Sequence, residues 1–454
     1  MNLLNLFLAI NWGSTKIPYN AYKETLFNTM WKMNIIILIS RSYRSFGAIS
    51  FIMIPIISGW IMVGLFCIAI FFMVSERVLA IELSENIQVH GFLTQGYFLT
   101  SDNNIFGTSD SGGSFDFTEA GLNASWIPNT DLRLAGQVLF RRAGVGHQHD
   151  VELDFGVVDY TAFSTNDYRI GVSFGRFKIP FGLYNDTRDV IFTRPTILLP
   201  QSIYQERTRD LAISADGGIF YGEYRNDWGD MFLELGAGIP RGASLDSEVA
   251  ILGFDYPGNT TSKMSYIGRL SYDIDGGKYR MAISSAYVDT RYNPKFIPPD
   301  DLPALKDIFT PVIFSVQYNR EKLSLTAEYA IRRIQETVND GALDLDISGE
   351  SYYLQALYRL DQNWQAVVRY DVLYNNRDDK DGWKYQSLTG KPNYTQFAKD
   401  WTFGVRYYLD PSFLIAAEYH YVNGVAWLPF QDNPDPGNLE QRWHMFSLAV
   451  GYQF

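Results

Sequence analysis

From about residue 86 to the end of the chain, apolar and polar side chains alternate one for one. That is the period of a β-strand whose two faces meet different surroundings. In 363–374, Trp364, Ala366, Val368, Tyr370, Val372 and Tyr374 share one face. Gln365, Val367, Arg369, Asp371 and Leu373 share the other. In 323–332, Leu323, Leu325, Ala327, Tyr329 and Ile331 oppose Ser324, Thr326, Glu328, Ala330 and Arg332. In 401–409, Trp401, Phe403, Val405, Tyr407 and Leu409 oppose Thr402, Gly404, Arg406 and Tyr408. Aromatics gather near the ends of each apolar face, which is how strands that cross a membrane are built.

Seven short turn signals punctuate the strands: 128–131, 164–167, 226–229, 275–277, 319–322, 361–363 and 410–412. Their Asn, Asp, Gly, Pro and Ser residues supply positive φ, fixed φ or local side-chain hydrogen bonds. Between them lie eight longer polar connections, near 101–113, 143–149, 182–208, 240–261, 291–307, 337–349, 376–396 and 428–440. Fifteen connections join sixteen strands, with both ends of the run on the short-turn side. The expectation is an all-β, transmembrane antiparallel barrel over 81–454, with fourteen or eighteen strands as the neighbouring solutions. Lipid tolerates no unpaired strand edge, so the last strand must pair with the first, near 86–100. A barrel of this size encloses a lumen wide enough for water.

Residues 46–74 break the pattern, with 29 residues and no charge. Arg41 and Arg44 precede the segment and Val78-Leu79-Ala80 follows it, which is the layout of a secretory signal cleaved after Ala80. An uncleaved membrane anchor is the alternative, because the core is longer than in ordinary signals. Residues 1–32 read either as a start called too early, with Met33 opening a tidier signal, or as a cytoplasmic extension.

Composition narrows the class. Tyr, Phe and Trp number 30, 31 and 10, 16% of the 454 residues, which excludes disorder. The first 80 residues hold 6 of the 38 Lys and Arg and 2 of the 50 Asp and Glu, so the remainder carries 32 and 48, a net −16. That charge disfavours nucleic acid. Cys67 is the single cysteine, so no disulfide framework exists. His147 and His149 form only a lone His-x-His, and no zinc-protease or serine-hydrolase motif occurs. The residues call for no metal or cofactor and for no enzyme.

Strand phase points nine bases into the lumen: Arg133, Arg141, Arg169, Arg269, Arg280, Arg332, Arg359, Arg369 and Arg406. It points eight acids there: Glu119, Glu152, Asp154, Asp216, Glu234, Glu328, Asp371 and Glu418. Near balance puts most of the negative charge on loops. The third long loop, 183–208, mixes Asp186, Arg188, Asp189 and Arg194 with the apolar run Ile197-Leu198-Leu199-Pro200. Such a run packs against an inner wall, and opposed charges in a narrow passage set ion selectivity. The four charged residues are therefore the expected pore constriction.

The last nine residues, FSLAVGYQF, alternate to a terminal Phe454, with Tyr452 two before it. That ending resembles the assembly signal of bacterial outer-membrane barrels. Together with Val89-His90-Gly91-Phe92 and Gly175-Arg176-Phe177-Lys178-Ile179-Pro180-Phe181-Gly182-Leu183, it resembles the Gram-negative porin family that includes phosphate-selective porins. The resemblance spans 81–454. It implies a sixteen-strand barrel in the outer membrane, a homotrimer, and a third loop folded inward. It further implies contact with lipid, lipopolysaccharide and the outer-membrane assembly machinery. Phosphate selectivity does not carry over, because the family's basic ladder has no residue-by-residue match here. The expected function is passive diffusion of small hydrophilic solutes. A plugged, adhesive or structural barrel is the alternative, with an outer-membrane hydrolase behind it.

Overall fold

The computed structural model describes residues 81–454 apart from 85, 242–244, 253–254, 296, 298–301, 340 and 342. The expected signal segment, its cleavage at Ala80 and the 1–32 extension lie outside the described residues.

The strands in chain order are β1 (Ile81–Ser84), β2 (Ile87–Thr100), β3 (Ser114–Asn129), β4 (Leu132–Ala143), β5 (His147–Ser164) and β6 (Tyr168–Lys178). Next come β7 (Ser214–Asn226), β8 (Gly229–Pro240), β9 (Asn259–Ser262), β10 (Ser265–Ile274), β11 (Tyr279–Asn293) and β12 (Leu305–Asn319). The last are β13 (Leu323–Val338), β14 (Leu343–Arg359), β15 (Trp364–Tyr374), β16 (Phe397–Asp410), β17 (Phe413–Gly424) and β18 (Arg442–Gln453). Leaving aside the short β1 and β9, sixteen strands pair antiparallel with their neighbours, β8 meets β10, and β18 closes the ring on β2. Closure leaves the wall no free edge.

The terminal Phe454 extends this seam. Its N–H donates to the Gly91 carbonyl at 3.0 Å and its carbonyl accepts from the Gly91 N–H at 3.2 Å. Any Cβ at residue 91 would strike the Phe454 ring, so glycine makes the room the terminal aromatic fills.

All seven expected short turns join consecutive strands of the ring. Two of the eight longer connections, near 143–149 and 337–349, shrink to tips because β4–β5 and β13–β14 run on past them. Beyond the membrane both faces of a strand meet water, so hydrophobic alternation fades although the ladder continues. Arg333 and Asp346, paired at 2.6 Å across β13–β14, show such a stretch.

The outer face carries exposed apolar residues such as Leu122, Val138, Val158, Leu235, Ile283, Val316, Val368 and Leu448. Cross-strand aromatic pairs, some stacked and some tilted, edge it at both ends. Tyr168–Tyr224, Tyr279–Tyr318 and Trp364–Tyr407 lie toward the short turns. Tyr266–Tyr287 and Tyr370–Trp401 lie toward the long loops. An apolar band between two aromatic girdles is the exterior of a transmembrane barrel.

Candidate functional site

The connection from β6 to β7 folds into the lumen. Its entry turns at Gly182, whose φ of 61° suits glycine. The Gly182 N–H donates to Ser284 Oγ at 3.0 Å. The next residue, Leu183, donates its N–H to Glu328 Oε1 at 3.1 Å. Glu328 also accepts from Ser315 (2.6 Å), Tyr204 (2.6 Å) and Tyr353 (2.9 Å). Four donors satisfy a buried carboxylate that would otherwise be costly.

Wall side chains then grip the loop, mostly by its backbone. Glu418 accepts from the N–H groups of Ile197 (2.5 Å) and Leu198 (3.4 Å). Asp371 accepts from the Ser202 N–H at 3.3 Å. Arg406 donates to the carbonyls of Arg194 (2.7 Å) and Ile191 (3.0 Å). Arg369 donates to Thr196 Oγ1 at 2.8 Å. The apolar run behaves as its composition predicts. Ile197 and Leu198 join a buried cluster with Phe98, Phe117, Leu414 and Trp443. Leu199 joins a second one with Phe177, Ile267, Ile313 and Ala330.

Charges knit the loop to the wall. Glu119 pairs with Arg141 (3.2 Å) and Arg194 (2.8 Å). Glu206 pairs with Arg141 (2.5 Å) and Arg188 (2.8 Å). Lys178 joins Asp154 at 2.6 Å and also Asp189, which pairs in turn with Arg209. Burial pushes the Glu206 carboxyl up, but the guanidinium groups of Arg141 and Arg188 outweigh it and hold it at about 2.

This arrangement corrects the expectation for the loop's charges. Arg188, Asp189 and Arg194 are 1%, 2% and 4% exposed, so they lie within the packed interior rather than along an open passage. The reason is economy of charge: buried ions persist only when paired, and these pair with the wall. Asp186 alone of the four lines open space. It meets Arg269 at 2.6 Å, and Arg269 also reaches Glu234 at 2.7 Å.

That open space lies between the loop and the turn end of the barrel. A cavity of about 630 Å³ is lined by Tyr184, Asp186, Thr187 and Thr193 of the loop and by Glu223, Asp230, Phe232, Arg269, Asp273 and Arg280 of β7, β8, β10 and β11. A second, of about 310 Å³, is lined by Arg133, Asp159, Arg169, Tyr221 and Phe232 on β4–β8. Phe232 belongs to both.

The remaining candidates divide accordingly. Arg141, Arg369, Arg406, Glu119, Asp154, Glu328, Asp371 and Glu418 are buried under the loop. Arg332 donates to the Tyr374 carbonyl at 3.2 Å. Arg280 pairs with Asp273 at 3.3 Å on the cavity wall. Arg359 is exposed at the turn end of β14. Glu152 pairs with Arg241, toward the loop end. Asp216 faces outward, opposite exposed Ile239, and pairs with Arg176 at 2.7 Å. There the inward face of β7 is Ala215, Gly217, Ile219 and Tyr221, so polarity misleads about phase.

Sequence reading passed over Asp159, Lys178, Glu206, Arg209, Asp400 and His420. Buried His420 has Nδ1 2.8 Å from Asp400 and Nε2 3.5 Å from Glu418. Its alternation with Glu418 along β17 was the available signal.

No protein-family profile matches the chain, and no curated protein sequence does. Solved structures do share its fold. An anion-selective porin from Comamonas acidovorans matches with a TM-score of 0.50 and 11% identity, over 81% of this chain and 99% of the porin. Salmonella typhi OmpF, solved in complex with daunomycin, matches with a TM-score of 0.50 and 15% identity, over 83% of this chain and all of OmpF. The fold is that of bacterial outer-membrane porins.

Proposed function

We propose that this chain is an outer-membrane diffusion channel for small hydrophilic solutes, narrowed where its inward loop faces β8, β10 and β11. The observation that carries this reading is the pair of adjoining cavities between the loop and the turn end, edged by acidic and basic side chains in a barrel whose exterior is apolar. Charged walls keep a lumen hydrated and give a passing ion a defined field. In this reading the constriction is the part of the larger cavity flanked by the Asp186–Arg269 ion pair and lined by Tyr184, Thr187 and Arg280. The short turns face the periplasm and the long loops face outward. Purified protein inserted into planar bilayers should give stepwise conductance with a defined reversal potential. A barrel that inserts and stays silent overturns the channel.

A second reading, a plugged barrel, is favoured by one observation. The loops around 101–113 and 425–441 bind each other above the packed side of the lumen. Asn433 donates to the Asn104 carbonyl at 2.7 Å, and Asp432 accepts from the N–H groups of Gly107 (3.2 Å) and Val145 (3.0 Å). The same conductance measurement separates the two.

Tyr452 and Phe454 are proposed as the assembly signal. Deleting Phe454 should lower the yield of heat-modifiable folded barrel in cells, and full yield would remove that role. Export by cleavage after Ala80 predicts a mature N-terminus near residue 81. The resemblance to phosphate-selective porins supports a homotrimer, which crosslinking in the membrane tests.

A further inference from the structure

The arginines inside this barrel are not equivalent. Arg141, Arg188, Arg194 and Arg209 are spent on buried carboxylates, and Arg369 and Arg406 on the loop. Arg269 and Arg280 are paired on the wall of the larger cavity. Arg133 and Arg169 differ. Both line the 310 Å³ cavity, both are exposed to it, and among the described residues neither has an ion-pair partner.

The cavity holds one carboxylate, Asp159, directly across the ladder from Arg133. Its oxygens are already engaged by hydroxyls. Tyr221 donates to Oδ1 at 3.1 Å, and Ser173 donates to Oδ2. Asp159 is thus held by neutral donors while two guanidinium groups stay open to a solute. The rest of the lining is apolar or aromatic: Ala135, Phe155, Val157 and Phe232, with the Arg169 guanidinium 5.3 Å above the Tyr221 ring. A purely hydrated ion gains nothing from such walls, whereas a flat apolar body does.

We infer that the Arg133–Arg169 cavity is a binding subsite for a small organic monoanion, a carboxylate carried on an apolar or aromatic body. Guanidinium groups match carboxylates in charge and in planar donor geometry. The site lies between the loop and the turn end, so a solute pausing there obstructs the passage. This rests on the channel reading above and deepens it.

The test is block of the KCl current by benzoate, with acetate and benzamide as the partial probes, each block normalised to that variant's own open current. Benzoate should block wild type in a saturable way, with acetate and benzamide at least about tenfold weaker, since each lacks one half of the recognition. R133Q/R169Q should weaken benzoate block about tenfold or more. D159N should strengthen it by removing the carboxylate within the cavity itself. R333Q, on the outer wall where Arg333 pairs with Asp346, should leave it unchanged. Equal block by acetate overturns the apolar part, equal block by benzamide overturns the anionic part, and unchanged block in R133Q/R169Q overturns the site. Calorimetric titration of benzoate into the detergent-purified, heat-modifiable barrel reads the subsite without the channel. Binding lost in R133Q/R169Q, in a barrel that conducts nothing, would uphold the subsite and sink the channel. Conductance without binding or block would do the reverse.

Discussion

The two sides of the lumen are built from the same residue types and do opposite things with them. Along β15–β18 and β2–β3, inward charges are sealed beneath the loop, and Phe98, Phe117, Leu414 and Trp443 fill the space between. Along β4–β8, β10 and β11, toward the turn end, inward charges face the open cavities. The loop makes the difference. Where it lies down, an arginine becomes a structural tie whose removal strands its partner. Where it does not reach, an arginine stays available to a solute. An inward charge is therefore not in itself a selectivity determinant.

Breaking the sealed side should have the largest effect. Glu119→Gln keeps the shape and removes the charge between Arg141 and Arg194. Stranding a buried charge partner costs about 3–5 kcal/mol. The folded form should then convert at a clearly lower temperature in a heat-modifiability gel, and an unchanged transition would show that the network contributes no stability. Leu198→Ala tests the apolar half of the same contact. Truncating a buried leucine costs about 2–5 kcal/mol where the site cannot collapse. Part of that loss should surface as loosening of the loop, read as noisier and larger open-channel current. A quiet, wild-type current would show that the polar ties alone fix the loop.

Much of this fold is written in the sequence, because period two and turn chemistry are local signals. Trp364 to Tyr374 and Phe446 to Phe454 announce their faces residue by residue, and the seven turns name themselves by Asn, Asp, Gly and Pro. The seam between Phe454 and Gly91 follows from the rule that lipid forbids an edge. The site was less legible. Arg133 and Arg369 have the same strand phase, and only the path of the loop separates the exposed one from the one that is 1% exposed. Arg188 and Arg194 looked like pore charges because nothing local names partners as distant as Glu119, 75 residues away. Asp216 misled because the assumption that polar means inward fails near the rim, where an ion pair can face outward.

Acid should loosen the sealed side through Glu206. Its carboxyl is held at about 2, against an ordinary value of 4.5. The group is depressed in the folded state, so its contribution is full above about 4.5 and drains away as pH falls toward about 2. The ties to Arg141 and Arg188 should persist through mild acid and fail only in that window. Heat-modifiability measured from pH 6 down to 2 should show stability falling across it. Glu206→Gln should lower stability at neutral pH and flatten the acid slope. A slope as steep as wild type in that variant would assign the acid response to other carboxylates.

The smallest effect belongs to the boundary between the two sides, where Asp186 meets Arg269 at the cavity wall. Its side chain is 34% exposed, so water screens much of its field. Asp186→Asn removes one negative charge from the passage without stranding a buried cation, because Arg269 keeps Glu234 at 2.7 Å. The fold should therefore survive unchanged, in contrast to Glu119→Gln. What should move is the reversal potential in a KCl gradient, by a few millivolts toward anion preference, since a fixed charge acts over a short screened range. Arg188→Gln, only two residues along the loop, should do the opposite: cost stability through Glu206 and leave selectivity nearly untouched. If Asp186→Asn leaves the potential fixed while Arg188→Gln shifts it in a fully folded barrel, ions pass along the side of β15–β18 and β2–β3, and the two sides of the lumen have the opposite roles.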